Sequence, residues 1–507
     1  MRSTAVCEKA GPGGRETGVG CEGTLKSKQR HASDVSPRGK SRAGLVLLLL
    51  LLISYSYFVY RGSMWNGDSR MALVLAVVDQ HTLSIDAYHQ MTGDKSFFNG
   101  HYYSDKAIGV SLLAIPIYAF FKQTPLSSLP PDAYFLLRYV ITFFVVSIPS
   151  SLLGLLFYSC LPTFGVRGTA QLISTLGLTL GTIAFPFSTA LFGHQPAAFF
   201  LFAAFLLLRT YRAGAKIGLD KRAHLFAAAI LAGYAVLTEY PAAIAVFFLS
   251  AYAILIPEAR RSSVSARAAV WLVGMVPSVA IILTYNTLAF GSPFSQGYAH
   301  LGGLPYFAQG MSQGFLGLTY PKVRVLVGIT LHPFRGLFFL SPFLVLAISG
   351  WKHLSRSGNR CEAYLCAAIV VSFLLFNASY FQWDGGYSLG PRHVVPALPF
   401  LALLAAGGIA HARKLGAMLV SLSVVVISLF TVTDPLAPPV YPNPLAEWAI
   451  PRVLSGSVNN NWGMLIGLTG LASLIPLLLV VVGSLALVAH ASRSRTTGGR
   501  DFVANVA

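Results

Sequence analysis

Apolar runs long enough to cross a bilayer recur from one end of this 507-residue chain to the other. A helix needs roughly 20 such residues to span a hydrocarbon core of about 30 Å. Only 11% of the residues are charged, against about 25% in soluble domains. In lipid the backbone must satisfy its own hydrogen bonds, which leaves helices or a closed barrel. The alternation of barrel strands is missing. The sequence therefore predicts an all-α polytopic membrane protein. Its net charge of +19 then reflects Lys and Arg gathered in cytoplasmic loops, and no nucleic-acid partner is expected.

The basic loops orient the spans. Residues 1–42 carry nine Lys and Arg and few apolar side chains, and are predicted to be a disordered cytoplasmic tail. The run 45–60 reads as a retained first span rather than a cleaved signal. Further basic clusters near 209–222, 260–267, 352–360 and 413–414 mark the cytoplasmic side. Spans are expected near 44–60, 133–160, 169–190, 195–208, 225–239, 241–257, 268–290, 334–350, 362–380, 394–410, 415–432 and 463–490. That makes about twelve crossings, with the tail 493–507 also cytoplasmic. The run 109–121 is too short to cross and is expected to be re-entrant. The membrane domain thus covers 43–492. None of the five cysteines has zinc-site spacing to a histidine, and no disulfide is predicted.

The first outer loop, 61–107, is the polar exception. It holds Asp68, Asp79, Asp86, Asp94 and Asp105 out of only 18 acidic residues in the chain. Residues 68–79 read as a short helix lying in the membrane interface, and the Gly, Asn and Asp punctuation that follows reads as turns. Outward-facing cations are the informative ones, because positive-inside sorting does not explain them: Arg70, Lys106, Lys322, Arg324, Arg335 and Arg392. A carboxylate beside a cation at the membrane surface suits a polyprenyl-phosphate sugar donor. The carboxylate would accept the proton of an acceptor hydroxyl, and the cations would meet the charge of the departing phosphate.

The order GDSRM, an apolar helix, then NGHYYSDKAIGVSLLAIPIY resembles the first outer loop of the GT-C glycosyltransferases. The likeness is to lipid A aminoarabinose transferases and protein O-mannosyltransferases. The segments TLFGHQPAAFFLF, LTEYPAA, YNTLAFGSPFSQGY, HPFRGLFFLSP and WDGGYSLGPRHVVPALPFL extend it over most of 60–480. The resemblance implies a GT-C-like bundle with interfacial helices in the first outer loop. It implies Asp68 as the catalytic acid, Arg70 as a phosphate-facing base, and Asp105 with Lys106 as the acid–lysine pair. Ser69 stands where the family has a second acid, the step from Asp68 to Arg70 is one residue short, and Ala107-Ile108 replaces Pro-Pro. Either Asp68 or Asp105 is therefore the expected general base.

Arg335 and Arg392 join Arg70 and Lys106 as candidate phosphate ligands; the Gly-rich turn before Arg392 can present N–H groups to an anion. His194, Glu239, Tyr103, Tyr285, Asn286 and Trp383 are candidate substrate contacts. For His194 and Trp383, helix-end and interfacial-belt roles compete with that assignment. No nucleotide-binding loop, His-Glu-x-x-His site or first-loop Asp-x-Asp pair is present, so neither metal nor other cofactor is expected. The predicted function is transfer of a sugar from a polyprenyl-phosphate donor to an acceptor hydroxyl outside the cytoplasm, in a bacterial inner membrane. Two alternatives stand: a transporter of a lipid-linked saccharide, or a lipid-binding relative without activity. A transporter should place charge mid-span; here most spans lack acids, and Arg138 is the exception.

Overall fold

The computed structural model describes residues 37–124, 134–219, 221–255 and 263–488. Most of the tail 1–42 and all of 493–507 lie outside these residues. The chain is a multi-pass bundle of helices. Seven are long and apolar enough to cross a membrane, and five apolar helices are shorter. In chain order the helices used below are α1 (Pro37–Ser56), α2 (Trp65–Gln80), α3 (Gly109–Phe121), α4 (Tyr134–Phe164), α5 (Thr169–Leu180), α6 (His194–Lys216), α7 (Arg222–Thr238), α8 (Tyr240–Ile254), α9 (Val264–Phe290), α10 (Arg360–Ser379), α11 (Arg392–His411), α12 (Arg413–Thr433) and α13 (Gly470–Val488).

Two expected spans are interrupted. The 169–190 run stops at Gly181 and resumes as Ala184–Ser188. The 334–350 run is cut into Leu337–Leu340, Pro342–Leu346 and Ala347–Arg356. Pro342 has no N–H for the helical ladder, so the break falls where the chemistry demands it. Apolar content predicted both segments; helix continuity was the part it could not supply.

The most enclosed helix is α11, apolar around its whole circumference, as a helix inside a bundle must be. Its Gly408 lets the backbone of the neighbouring Ala347–Arg356 helix approach closely: a Cβ on Gly350 would sit within 2.6 Å of the Gly408 nitrogen.

The first outer loop departs from expectation in two ways. Helix α2 forms where the sequence places it but is longer, Trp65–Gln80, and its apolar side chains are covered by protein. Met71, Ala72, Leu73, Val74 and Ala76 are fully enclosed by protein, packed between the hairpin below and α3. The turn-rich segment after it contains a β-hairpin, β1 (Lys95–Phe98) paired antiparallel with β2 (His101–Ser104). Asn99 and Gly100 form the two-residue turn with φ of 50° and 87°, the left-handed pair that such a turn requires. The strands carry paired aromatics, Phe97-Phe98 and Tyr102-Tyr103, on either side of the Asn-Gly, the hairpin signal in this stretch. Ser96 also bridges to Leu301, which ties the first outer loop to the long loop after α9.

Candidate active site

A cavity of about 580 Å³ opens where these loops meet. Its charged lining comes from four parts of the chain: Asp94 and Lys95 at the start of β1, Asp105 and Lys106 after β2, Arg392 at the start of α11, and Asp434 at the end of α12. Aromatic and apolar side chains fill the rest, among them Trp65, Phe192, Phe307, Tyr387 and Trp448.

The buried Lys106 ammonium is held between two carboxylates, Asp94 at 2.9 Å and Asp105 at 3.0 Å. Burial disfavours the ammonium, but the two carboxylates outweigh it and hold the Lys106 pKa above its ordinary value. Asp105 is almost wholly enclosed; burial raises its pKa, Lys106 pulls it down and Asp94 adds repulsion. Two acids around one ammonium leave an excess negative charge, and Asp105 is the group placed to take up a proton. The Ser69 hydroxyl donates to Asp105 at 3.4 Å and shares a 2.9 Å bond with Ser104. So the serine that stands in place of a second acid orients the acid that follows.

Arg392 differs from the other cations. Its Nε is buried without a hydrogen-bond partner, and no described carboxylate pairs with it. The guanidinium lies over Phe192, 5.7 Å from the ring centroid. Gly385 makes room for it: its φ is 73°, and a Cβ there would lie 3.0 Å from the Arg392 Nε. The Gly-rich turn thus shapes the wall against Arg392.

The other expected site residues are placed as follows. Asp68 does not line the cavity. Its Oδ1 accepts from Arg138 at 2.6 Å and Tyr134 at 3.2 Å, and its Oδ2 from the Met64 N–H at 2.8 Å. Arg138 also donates to the Tyr60 and Gly62 carbonyls. The pair joins α2, α4 and the chain leaving α1. Arg70 is likewise buried and spoken for, by the Ala107 carbonyl at 2.8 Å and Glu239 at 2.8 Å. Burial raises the Glu239 pKa against the pull of Arg70. His194 Nδ1 stands 3.6 Å from Glu239, and its Nε2 and that of His393 are buried without partners. These groups form a polar layer behind the cavity.

Arg335 is fully enclosed and donates one bond from each guanidinium nitrogen to one loop: to the carbonyls of Asp384 at 2.9 Å, Gly386 at 2.6 Å and Ser388 at 2.5 Å. Burial lowers its pKa to about 10. It fixes the 384–388 turn from behind rather than facing the cavity. Trp383 packs against the cluster of Val325, Ile329 and Ala378. Tyr103 lies edge-on against Phe290, Tyr285 donates to the Ser104 carbonyl at 3.4 Å, and Asn286 donates to the Pro293 carbonyl at 3.1 Å. None of these four lines the cavity. Of the expected residues, the cavity therefore gathers Asp105, Lys106 and Arg392, and adds Asp94, Lys95 and Asp434. Asp94 sits in a Gly-Asp turn and Asp434 in a Thr-Asp-Pro step at a span end; each is an acid where an apolar span or a turn would not require one.

Fold and site together define a multi-pass helical membrane protein with an ionic cavity at one end of its bundle. No family model matches the sequence, and no curated protein matches it. Among solved structures, ArnT from Cupriavidus metallidurans bound to undecaprenyl phosphate is 14% identical, with a TM-score of 0.46, 92% of this chain and 80% of that one being covered. The apo form of the same protein is 15% identical with a TM-score of 0.44, covering 89% and 74%.

Proposed function

We propose that the protein is a GT-C-like membrane glycosyltransferase that moves a sugar from a polyprenyl phosphate to an acceptor hydroxyl at this cavity. The observation that carries the reading is the meeting of Lys106 and Arg392 on one enclosed, partly apolar space, with the Arg392 Nε unpartnered. A phosphodiester between a lipid and a sugar supplies what such a space lacks: an anion for the guanidinium and an apolar chain for the aromatic walls; after transfer the lipid phosphate monoester remains. Arg suits a phosphate through its planar fork, Lys as a point charge. As the bond from the anomeric carbon to the phosphate breaks, charge grows on the phosphate oxygen, and the preset cations stabilise it. Asp105, Ser69 and Asp94 hold Lys106 for that task. The first-loop sequence resemblance points to the same chemistry.

Helix α6 supports an outward-facing cavity. His194 begins it beside the cavity, and Lys216 ends it 22 residues on, a rise of about 33 Å. Arg209, Arg212 and Lys216 thus occupy the opposite face, which positive-inside sorting makes cytoplasmic. The cavity then faces outward, in keeping with a bacterial inner-membrane enzyme.

The transporter alternative loses its one exceptional charge. Arg138 is near the start of α4, at the cavity end, and is paired with Asp68. It is not a midplane site of the kind translocation needs.

The test is calorimetric binding of farnesyl phosphate to the purified protein. Arg392→Gln and Lys106→Gln should each weaken it by about ten- to a hundredfold, the worth of one charge-assisted hydrogen bond. Absence of binding to the unmutated protein, or unchanged affinity in both variants, refutes the proposal.

A further inference from the structure

Three carboxylates line the cavity, and they are not equivalent. Asp94 and Asp105 both serve Lys106. Asp434 makes no ion pair with any described residue. It follows α12 directly, its N–H bonded to the Phe430 carbonyl at 2.8 Å, and its Oδ1 accepts from the Leu436 N–H at 2.9 Å. A carboxylate at the C-terminal end of a helix faces the negative end of the macrodipole, where acids are disfavoured. The helix stop itself is set by Pro435, which holds the preceding residue extended, at φ −163°, and does not call for an acid there.

Inversion at an anomeric carbon brings the acceptor in on the face opposite the leaving phosphate. Asp105 is tied to Lys106, on the side the leaving phosphate would occupy, whereas inversion calls for a base on the other. Asp68 is outside the cavity and bonded to Arg138. Asp434 comes from a separate wall. Arg452 is the one charged group that perturbs it, and neither Lys106 nor Arg392 does. Tyr60, which Asp434 and Tyr387 both influence, lines the same cavity, as does Trp448. Such aromatic faces suit the apolar side of a sugar ring.

Resting on the glycosyltransferase reading above, we infer that Asp434 is the general base that receives the proton of the acceptor hydroxyl. The hydroxyl oxygen bonds to the anomeric carbon as its proton passes to the Asp434 carboxylate. The bond from that carbon to the phosphate oxygen breaks, and its electron pair stays on the phosphate, beside Lys106 and Arg392. Burial raises the Asp434 pKa to about 6, and the Leu436 N–H and Arg452 oppose it. Only the ionised carboxylate accepts the proton, so the rate should rise with pH through about 6 and level off above it.

The experiment uses the full chain in nanodiscs. A panel of radiolabelled polyprenyl-phosphate monosaccharides is supplied, with water and a bacterial envelope fraction as acceptors. Farnesyl phosphate binding is measured on the same preparations. Asp434→Asn should lower kcat by about a hundredfold or more, the usual worth of a general base, with the farnesyl phosphate Kd unchanged. Asp434→Glu should restore measurable turnover and keep the acid limb of the pH profile. A smaller loss in Asp434→Asn, or loss of farnesyl phosphate binding along with turnover, overturns the assignment. So does binding by the unmutated protein without turnover of any donor, which leaves the phosphate site standing. Failure of the unmutated protein both to bind and to turn over sinks the glycosyltransferase reading itself.

Discussion

Replacing Asp68 by Asn separates a structural acid from a chemical one. The sequence resemblance makes Asp68 a candidate base, in which case Asp68→Asn would abolish transfer and leave folding intact. The structure assigns it a different burden. Both oxygens are occupied, by Arg138 and Tyr134 on one side and by the Met64 N–H on the other, and both members of the pair are almost fully enclosed. Breaking a buried pair by neutralising one partner costs about 3–5 kcal/mol. Asn keeps one carbonyl for Arg138, and the Tyr60 and Gly62 carbonyls still solvate the guanidinium. That places the cost near the lower end. The amide NH₂ then meets the Met64 N–H donor to donor, which adds about 1 kcal/mol. The expected loss is about 4 kcal/mol, read as denaturation at lower temperature in detergent by fluorescence-detected size exclusion. Asp68→Asn combined with Arg138→Met removes the stranded cation and should recover part of the loss, so the two changes should be non-additive. The folded fraction of Asp68→Asn should bind farnesyl phosphate as the unmutated protein does. Full stability in Asp68→Asn, with turnover gone, would refute the structural role.

Other outcomes follow from the same geometry. Arg335→Met strands three carbonyls of the 384–388 turn; at about 1–3 kcal/mol for each buried unmet group, the protein should lose at least 3 kcal/mol, and hydrogen exchange should rise in that turn first. Gly109→Ala puts a Cβ 2.5 Å from the Leu237 carbonyl carbon; overpacking of this kind costs about 1–3 kcal/mol, and a variant with unchanged melting temperature would contradict the packing of α3 on α7. Ser69→Ala removes a 3.4 Å bond to Asp105 and a 2.9 Å bond with Ser104 but no charge, and should weaken farnesyl phosphate binding less than Lys106→Gln does, a ranking that titration calorimetry can check.

Sequence alone decided the class and most of the helices. Apolar length and the scarcity of charge leave a lipid-facing chain few options, and these are properties of each segment by itself. That Asp105, Lys106 and Arg392 merit attention, and that they share one cavity, was partly legible for a related reason: charges that positive-inside sorting does not explain stand out in a chain this apolar. What each charge does was a different matter. Asp68, Arg70 and Arg335 look in sequence like Asp105, Lys106 and Arg392. They differ in lying outside the cavity lining, held by partners, Arg138, Glu239 and a run of backbone carbonyls, that arrive from 49 to 169 residues away. Asp434 was passed over because what sets it apart is that it lines the cavity without an ion pair to any described residue, and that is defined only once every neighbour is in place. A charge is named by one residue, but its availability belongs to the packing around it.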